Sequence, residues 1–373
     1  MERIGIIGKG LAGVITGLIW KTHLPECEVT IYHDGSPIEP VGSGSWPNIL
    51  RLLNEVGWYH PKHWMTWDRM DFDQTPKTGI LYEGWGYNHR WFHDFGISEY
   101  AMHFDPEAFT NYWCKSGLFN VVEEHVTPDD LMDDWIYDCS GTPDNFDNYY
   151  TLENPLDSVV LGNTLPIKSE VTRAVATPDG WCFEIPLRSS TTYGYLYSTT
   201  TTKDEVAVKN FRDLFKVAET KTRRFKNYCA KMPVVSDRVF LNGNKYFFIE
   251  PLEATSITGY MYWVDSTIEY IRGKQTKEQI VSDNLEMIQQ NSNFLLYHYQ
   301  YGSKYNSPFW DYAKTLTVND ITFWNLISDS FKGDWKAKLN NNYSYFNHHS
   351  VIMAHYNLIG NNFEDMLKTK LNK

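Results

Sequence analysis

The chain opens on a near-continuous apolar run, Arg3 to Ile7, which is the pattern of a short buried strand. Glycines interrupt it at once, and from Leu11 to Trp20 apolar residues recur at helical spacing. Glu28 to Tyr32 repeats the strand pattern, so the first segment predicts a βαβ unit, the usual opening of a doubly wound parallel sheet. Further helices are predicted at Pro47 to Val56 and Asp105 to Gly117. Trp135 to Tyr137 reads as a strand running into the turn Asp138-Cys139-Ser140-Gly141. Ser158 to Ser198 is dense in β-branched and aromatic residues and predicts antiparallel sheet. Lys203 to Val217 predicts a helix, Arg238 to Leu241 and Phe247 to Ile249 short strands, and Ile257 to about Tyr301 mainly helix. The Asn-rich tail, Ser307 to Lys373, predicts a helical cap. No internal repeat or long low-complexity linker breaks this order.

Composition narrows the function classes. A length of 373 residues suits a large main core with an appendage. Aromatic residues reach 16%, with 14 Trp and 25 Tyr, so rings must either fill the core or line a pocket. A formal charge of −12 argues against a general nucleic-acid binder, which needs clustered Lys and Arg to meet phosphate. The five cysteines, Cys27, Cys114, Cys139, Cys182 and Cys229, lie far apart and form no C-x-x-C pair. Neither a metal site nor a disulfide framework is expected, and a reducing, cytoplasmic setting fits best. The N-terminus enters a strand without a basic, apolar leader, and no long apolar stretch predicts membrane association.

The first chemical signal is Gly8-Lys9-Gly10-Leu11-Ala12-Gly13, a G-x-G-x-x-G spacing set between strand and helix. Its first glycine permits the tight turn, its second lets backbone approach a pyrophosphate, and its third lets helix and strand pack closely. A ribose-binding acid is expected at the end of the second strand, where His33 stands with Asp34 beside it. Either Asp34 takes that role or the ribose is held differently.

Three later segments turn a dinucleotide fold toward one chemistry. They are Thr75-Pro76-Lys77-Thr78-Gly79-Ile80 leading to Tyr82 and Trp85, Gly180-Trp181-Cys182-Phe183-Glu184-Ile185-Pro186, and Phe248-Ile249-Glu250-Pro251-Leu252-Glu253-Ala254-Thr255-Ser256-Ile257. Following the glycine motif in this order, they resemble the flavin-dependent halogenases of the tryptophan halogenase family, over residues 1 to about 310. The resemblance implies an α/β, Rossmann-type FAD-binding fold, flavin monooxygenase-like, with an inserted antiparallel sheet and a C-terminal helical cap. It also implies a core over residues 1–300 and a substrate cap over 301–373. The family pattern G-W-x-W-x-I-P is met at Gly180, Trp181, Ile185 and Pro186, with Phe183 in place of the second Trp, and these residues are expected near the flavin.

Lys77 falls on the family's catalytic lysine, which receives hypohalous acid, and Glu253 on the acid that takes the ring proton or orients the electrophile. Burial would pull the lysine's pKa down and a nearby carboxylate would push it up. Glu250 is read as a structural or flavin-side acid. The backbone amides of Thr255 and Ser256 are expected to bind halide, because a turn entering a helix presents unpaired donors. Where the family often has Ser and then Gly, this chain has Ala254 and Ser256. Val41-Gly42-Ser43 is similar to the flavin-linking strap, which often carries Glu at the place of Ser43. Leu11, Ala12, Gly243 and Pro251 are also expected against the cofactor. Trp91-Phe92-His93-Asp94-Phe95-Gly96 is similar to the substrate-side H-x-F-G element, with His93 and Phe95 flanking the aromatic ring.

The activity implied is FADH2- and O2-dependent halogenation of an electron-rich aromatic compound of indole, phenol or pyrrole type, with chloride, bromide or iodide as co-substrate. A separate flavin reductase is expected to supply FADH2, because no second nicotinamide-binding fingerprint occurs. A homo-oligomer is left open. The chain is shorter than typical members in the region that closes over the substrate, which implies a more open pocket. Two alternatives stand beside this reading: a flavin-dependent aromatic hydroxylase, and a flavin-binding protein without turnover.

Overall fold

The structure, a computed structural model, describes residues 1–38, 43–95, 100–332 and 348–360. Val41, Gly42 and Gly96 of the expected site lie outside the described residues.

The opening apolar run becomes the strand Arg3–Ile7, paired in parallel with Glu28–His33 on one side and Trp135–Asp138 on the other. Asn120–Glu123 extends this sheet in parallel beyond Glu28–His33, and Val239–Leu241 extends it beyond Trp135–Asp138. Val234–Ser236 closes the far edge antiparallel. Between the first two strands runs the helix Leu11–His23, whose Val14, Ile15, Leu18 and Ile19 are buried. It packs on the helices Asn48–Tyr59 and Ser256–Ile271. The turn into it requires glycine at one point: Gly8 has φ +106, and a Cβ there would stand 2.4 Å from the carbonyl oxygen of Cys139.

The β-rich middle folds as expected into antiparallel pairs, Ser158–Thr164 with Thr191–Tyr197, and Gly180–Pro186 with both Thr191–Tyr197 and Val171–Thr177. Every residue of Gly180–Pro186 is buried, because both faces of the sheet are covered. One face packs Cys182, Tyr193 and Tyr195 under the helix Asp204–Phe215, where Phe211 completes the cluster. The opposite face, by the two-residue alternation of a strand, carries Trp181, Phe183 and Ile185 into the main core. Val171–Thr177 also pairs in parallel with Gly79–Glu83, which pairs antiparallel with Arg90–Asp94. A small sheet of Ser43–Gly44, Ala101–Phe104 and Thr75–Lys77 stands beside it.

The C-terminal third is helical. Ser256–Ile271 and the long Lys277–Gln300 pack together, the latter opened by a capping box between Thr276 and Gln279. Pro308–Ala313, Ile321–Lys332 and His348–Ile359 follow, and the last of them lies against Arg90–Asp94. The chain therefore has the expected α/β fold with an inserted antiparallel sheet and a helical C-terminal region. Predicted boundaries moved by one to three residues at helix ends, where caps rather than periodicity decide. Asp105, for example, is not helical but caps Pro106–Lys115, its carboxylate accepting from the Ala108 amide at 2.7 Å. No helix among the described residues is long and apolar enough to cross a membrane.

Candidate functional site

A cavity of about 1020 Å³ opens along the C-terminal ends of the parallel strands, the place where doubly wound sheets bind ligands. Gly8, Gly10, Leu11 and Ala12 line it at the start of the helix, Asp34 at the end of the second strand, and Ser43 lines it as well. A Cβ built on Gly10 would meet nothing within 4 Å, so this residue, the N-cap of Leu11–His23, leaves open space in front of the helix N-terminus. Gly13 serves packing instead, since a Cβ there would stand 2.0 Å from the carbonyl oxygen of Gly8. Gly243 is likewise a packing glycine, at φ +63 and 2.5 Å from the Ala12 Cβ if it carried one. Asp34 is exposed at the rim, and the Ser36 amide beside it holds its carboxyl below the usual range. A further wall is Trp181, Phe183 and Ile185 with Pro251, Ala254 and Ser256. Pro186 does not line the cavity; its carbonyl accepts from the Thr75 hydroxyl at 2.6 Å and so ties this strand to the segment bearing Lys77. The size, the open backbone at Gly10 and the aromatic wall would suit an FAD, for which Gly8 and Gly10 would take the pyrophosphate and Trp181 and Phe183 would border the ring system.

Lys77 lies just behind the cavity wall. Its side chain is fully buried, and Nζ has no hydrogen-bond partner among the described residues. Gly44 and Thr172 both line the cavity, and a Cβ on Gly44 would stand 3.2 Å from Lys77 Nζ and 3.3 Å from Thr172 Oγ1. One residue's thickness of backbone thus separates the cavity from the amine. Burial pushes the lysine's pKa down to about 7, against the opposing pull of Glu253. His103 braces the same corner. Thr75 spends its proton on the Pro186 carbonyl, so His103 Nδ1 donates to Thr75 at 3.0 Å and Nε2 accepts from Thr172 at 2.9 Å. Burial, with Lys77 adding to it, keeps this imidazole neutral.

Glu253 is buried too, and its contacts come from three elements and one loop. Tyr82 donates its hydroxyl to Oε1 at 2.6 Å, His298 Nε2 stands 3.1 Å from Oε1, and His93 Nδ1 stands 3.8 Å from Oε2. Trp46 Nε1 donates to the Glu253 backbone carbonyl at 2.8 Å. Burial pushes the carboxyl up, but His298, His93 and Tyr82 more than reverse it and leave it below its ordinary value. Glu250 shows the contrast: burial pushes it up to about 8, with Tyr299 donating to it at 2.9 Å and the Leu252 amide at 3.1 Å.

After Glu253 the chain turns through Ala254 at φ +52, in the left-handed region a non-glycine residue rarely enters. The turn sends the Glu253 carboxylate inward and starts the helix Ser256–Ile271 with Thr255 at its N-cap, where the first amides have no intrahelical acceptor. Ser256 lines the cavity, whereas Thr255 is buried and its Oγ1 accepts from Asn291 at 2.6 Å. His93 and Phe95 are brought to the same corner, Phe95 packed on Trp46 with ring centroids 4.8 Å apart and lying 5.3 Å from Lys77 Nζ. All four of Lys77, Glu253, His93 and Phe95 are enclosed by packing, where the shortness of the chain led us to expect an open pocket. The motifs left out His298 and Asn291. Both lie on Lys277–Gln300, and a His or Asn inside a helical pattern carries no local mark of what it will face.

A family model described as tryptophan halogenase matches residues 3–129 and 157–366. The tryptophan 7-halogenase RebH of Lentzea aerocolonigenes is 26% identical over 266 residues, which is 60% of this chain and 50% of that protein. The chain thus spans about half the length of this curated relative. Among solved structures, BrvH, a flavin-dependent halogenase from Brevundimonas sp. BAL3, superimposes with a TM-score of 0.78 at 15% identity, over 99% of this chain and 92% of that one. The tryptophan 6-halogenase SttH from Streptomyces toxytricini gives 0.77 at 17%, over 96% and 90%. At these identities the likeness is one of fold.

Proposed function

Because the chain belongs to the tryptophan halogenase family, we propose that it halogenates an electron-rich aromatic compound of indole, phenol or pyrrole type, with FADH2, oxygen and chloride, bromide or iodide as co-substrates. The observation that carries this reading is the fully buried, unpartnered Lys77 amine, one residue behind the cofactor cavity and beside Glu253. A buried amine without a partner is costly to keep unless it is used.

In this reading Gly8, Gly10, Leu11 and Ala12 hold the dinucleotide, and Trp181, Phe183, Ile185 and Pro251 border its ring system. Bound FADH2, supplied by a separate reductase, provides the electrons that let oxygen convert halide to an electrophilic halogen species. The amides at Thr255 and Ser256 hold the halide at the helix start. Gly44 and Thr172 keep water and stray nucleophiles from the oxidant on its short path, and Lys77 receives it and holds it in line with the ring. Glu253 takes the proton that the ring loses, on Oε2, the oxygen without a hydrogen bond. His93 and Phe95 flank the ring, and the enclosure around Lys77 must open to admit it.

The test is mass spectrometry of an aromatic panel incubated with the protein, a flavin reductase and each halide in turn. Halogenated product that vanishes in Lys77→Ala, while oxygen uptake with FADH2 persists, is the expected result. Hydroxylated product without halogen, or near-normal halogenation by Lys77→Ala, would overturn it.

A further inference from the structure

His298 belongs to no sequence motif, yet it sits inside the network that shapes Glu253. It lies in the last turn of Lys277–Gln300 and is fully buried. Its Nδ1 stands 2.8 Å from the backbone carbonyl of Phe294, one helical turn earlier. A carbonyl only accepts, so Nδ1 must carry a proton. That leaves Nε2, 3.1 Å from Glu253 Oε1 in an ion pair too bent for a well-aligned hydrogen bond. A neutral ring with its proton on Nδ1 would leave the electron-rich Nε2 only 3.1 Å from a carboxylate oxygen in a buried site, which is repulsive. A further proton must lie between the two groups.

Three observations put that proton on the imidazole. The ring is in the last turn of a 24-residue helix, where the unpaired carbonyls favour a cation. The ring of Tyr82 stacks on it with centroids 5.7 Å apart and planes 25° off parallel, and such a face stabilises a cation. The carboxyl of Glu253, despite its burial, is held below its ordinary pKa, with His298 the foremost of the groups lowering it. Neighbouring His355, which meets the Tyr297 hydroxyl, is kept neutral by burial and by His298 itself.

We propose that His298 is a positioning residue that, as an imidazolium, keeps the Glu253 carboxylate ionised and fixes Oε1, leaving Oε2 as the oxygen that takes the ring proton. This rests on the reading of Glu253 as the base. Tyr82 adds a neutral donor on Oε1, while His93 faces Oε2, Lys77 adds positive charge from Thr75–Lys77, and Glu250, which accepts from Tyr299, is the neighbouring acid. The pair Glu253 and His298 is thus set by side chains from the loop after Phe247–Phe248, from Gly79–Glu83 and Arg90–Asp94, and from the long helix.

His298→Gln keeps a polar side chain and removes the charge. Loss of a cation at this distance raises a carboxyl's pKa by about 1 to 3 units, so the rise of halogenation with pH should move up by the same amount. On the acid limb of the profile, product at a fixed pH should fall roughly 10- to 1,000-fold, while at pH 7, well above the wild-type carboxyl's range, the loss should be no more than about several-fold and should recover as pH is raised, with FAD affinity unchanged. Tyr82→Phe should move the profile less. A loss in His298→Gln that does not recover with pH would overturn the proposal, because a purely structural role predicts that pattern. Two spectroscopic arms need no turnover. Nitrogen NMR of histidine-labelled protein should show both His298 ring nitrogens protonated at pH 7, and infrared difference spectra taken on the acid limb of the His298→Gln profile should show a protonated-carboxyl band in His298→Gln that is absent from wild type at the same pH and from the Glu253→Gln, His298→Gln double variant. An unprotonated Nε2 or an unchanged infrared spectrum would refute the imidazolium. If wild type halogenates nothing, the functional reading fails while these two arms still decide the state of His298.

Discussion

Replacing Lys77 with methionine should make the protein more stable while ending halogenation, because the ammonium is held in the core against its own solvation. Burial lowers the lysine's pKa from the ordinary 10.5 to about 7. A displacement of that size corresponds to about 5 kcal/mol of preference for the neutral amine. Proton counting fixes the sign. Below about pH 7 the folded and unfolded chains both hold the proton and the cost of burying it is complete. Between pH 7 and 10.5 the unfolded chain holds a proton that the folded chain has lost, so stability climbs by about 1.4 kcal/mol per pH unit. Above 10.5 neither state holds it and the cost is gone. Methionine fills nearly the same volume without a charge, so Lys77→Met should exceed wild type by about 4 kcal/mol at pH 7 and by about 2 kcal/mol at pH 9. Urea unfolding of both FAD-free proteins at the two pH values, followed by tryptophan fluorescence, measures the difference. A gain at pH 7 of less than about 1 kcal/mol, or one that does not narrow at pH 9, would mean that Lys77 is solvated or paired in solution.

The glycine motif separates two kinds of glycine: Gly10→Val, which enters open space, should weaken FAD binding at least about tenfold in a fluorescence titration and leave unfolding unchanged, because a branched side chain would take the place proposed for the phosphate. Gly13→Ala, whose Cβ would stand 2.0 Å from the Gly8 carbonyl oxygen, should instead destabilise the fold by about 1–3 kcal/mol or more, read as a lower urea midpoint. Gly44→Ala adds a methyl group 3.2 Å from Lys77 Nζ, so the ratio of halogenated product to released hydrogen peroxide should fall severalfold while oxygen uptake holds; an unchanged ratio would place the path elsewhere. Glu253→Gln keeps the shape and removes the proposed proton acceptor, and product formation should drop about a hundredfold with FAD affinity intact. The isolated protein should oxidise NADPH at no more than background rate until a flavin reductase is added.

Much of this architecture was legible in the chain itself. Local pattern is enough to specify a βαβ unit, because an apolar run, a glycine turn and a helical period each restrict the backbone over a few residues, and Gly8, Gly10 and Gly13 sit where such a unit needs them. The alternation in Gly180–Pro186 likewise belongs to the sequence: Trp181, Phe183 and Ile185 share a face wherever that strand is placed. Lys77 and Glu253 were recognisable by motif, and the structure brings them to one corner although they are far apart along the chain.

What the sequence could not supply is what surrounds them. Nothing local says that Lys77 is fully buried, that the backbone of Gly44 lies against its amine, or that Pro186 serves the Thr75 segment and not the cavity wall. His298 is 45 positions beyond Glu253 in the numbering and reaches it because Lys277–Gln300 packs on Ser256–Ile271 and its second half, buried all round, carries the ring into the site. A helical period determines which residues share a face but not which face meets a carboxylate. Burial and charge pairing, and with them the ionisation of Lys77 and Glu253, are properties of the assembled core, so only the tertiary structure could decide them.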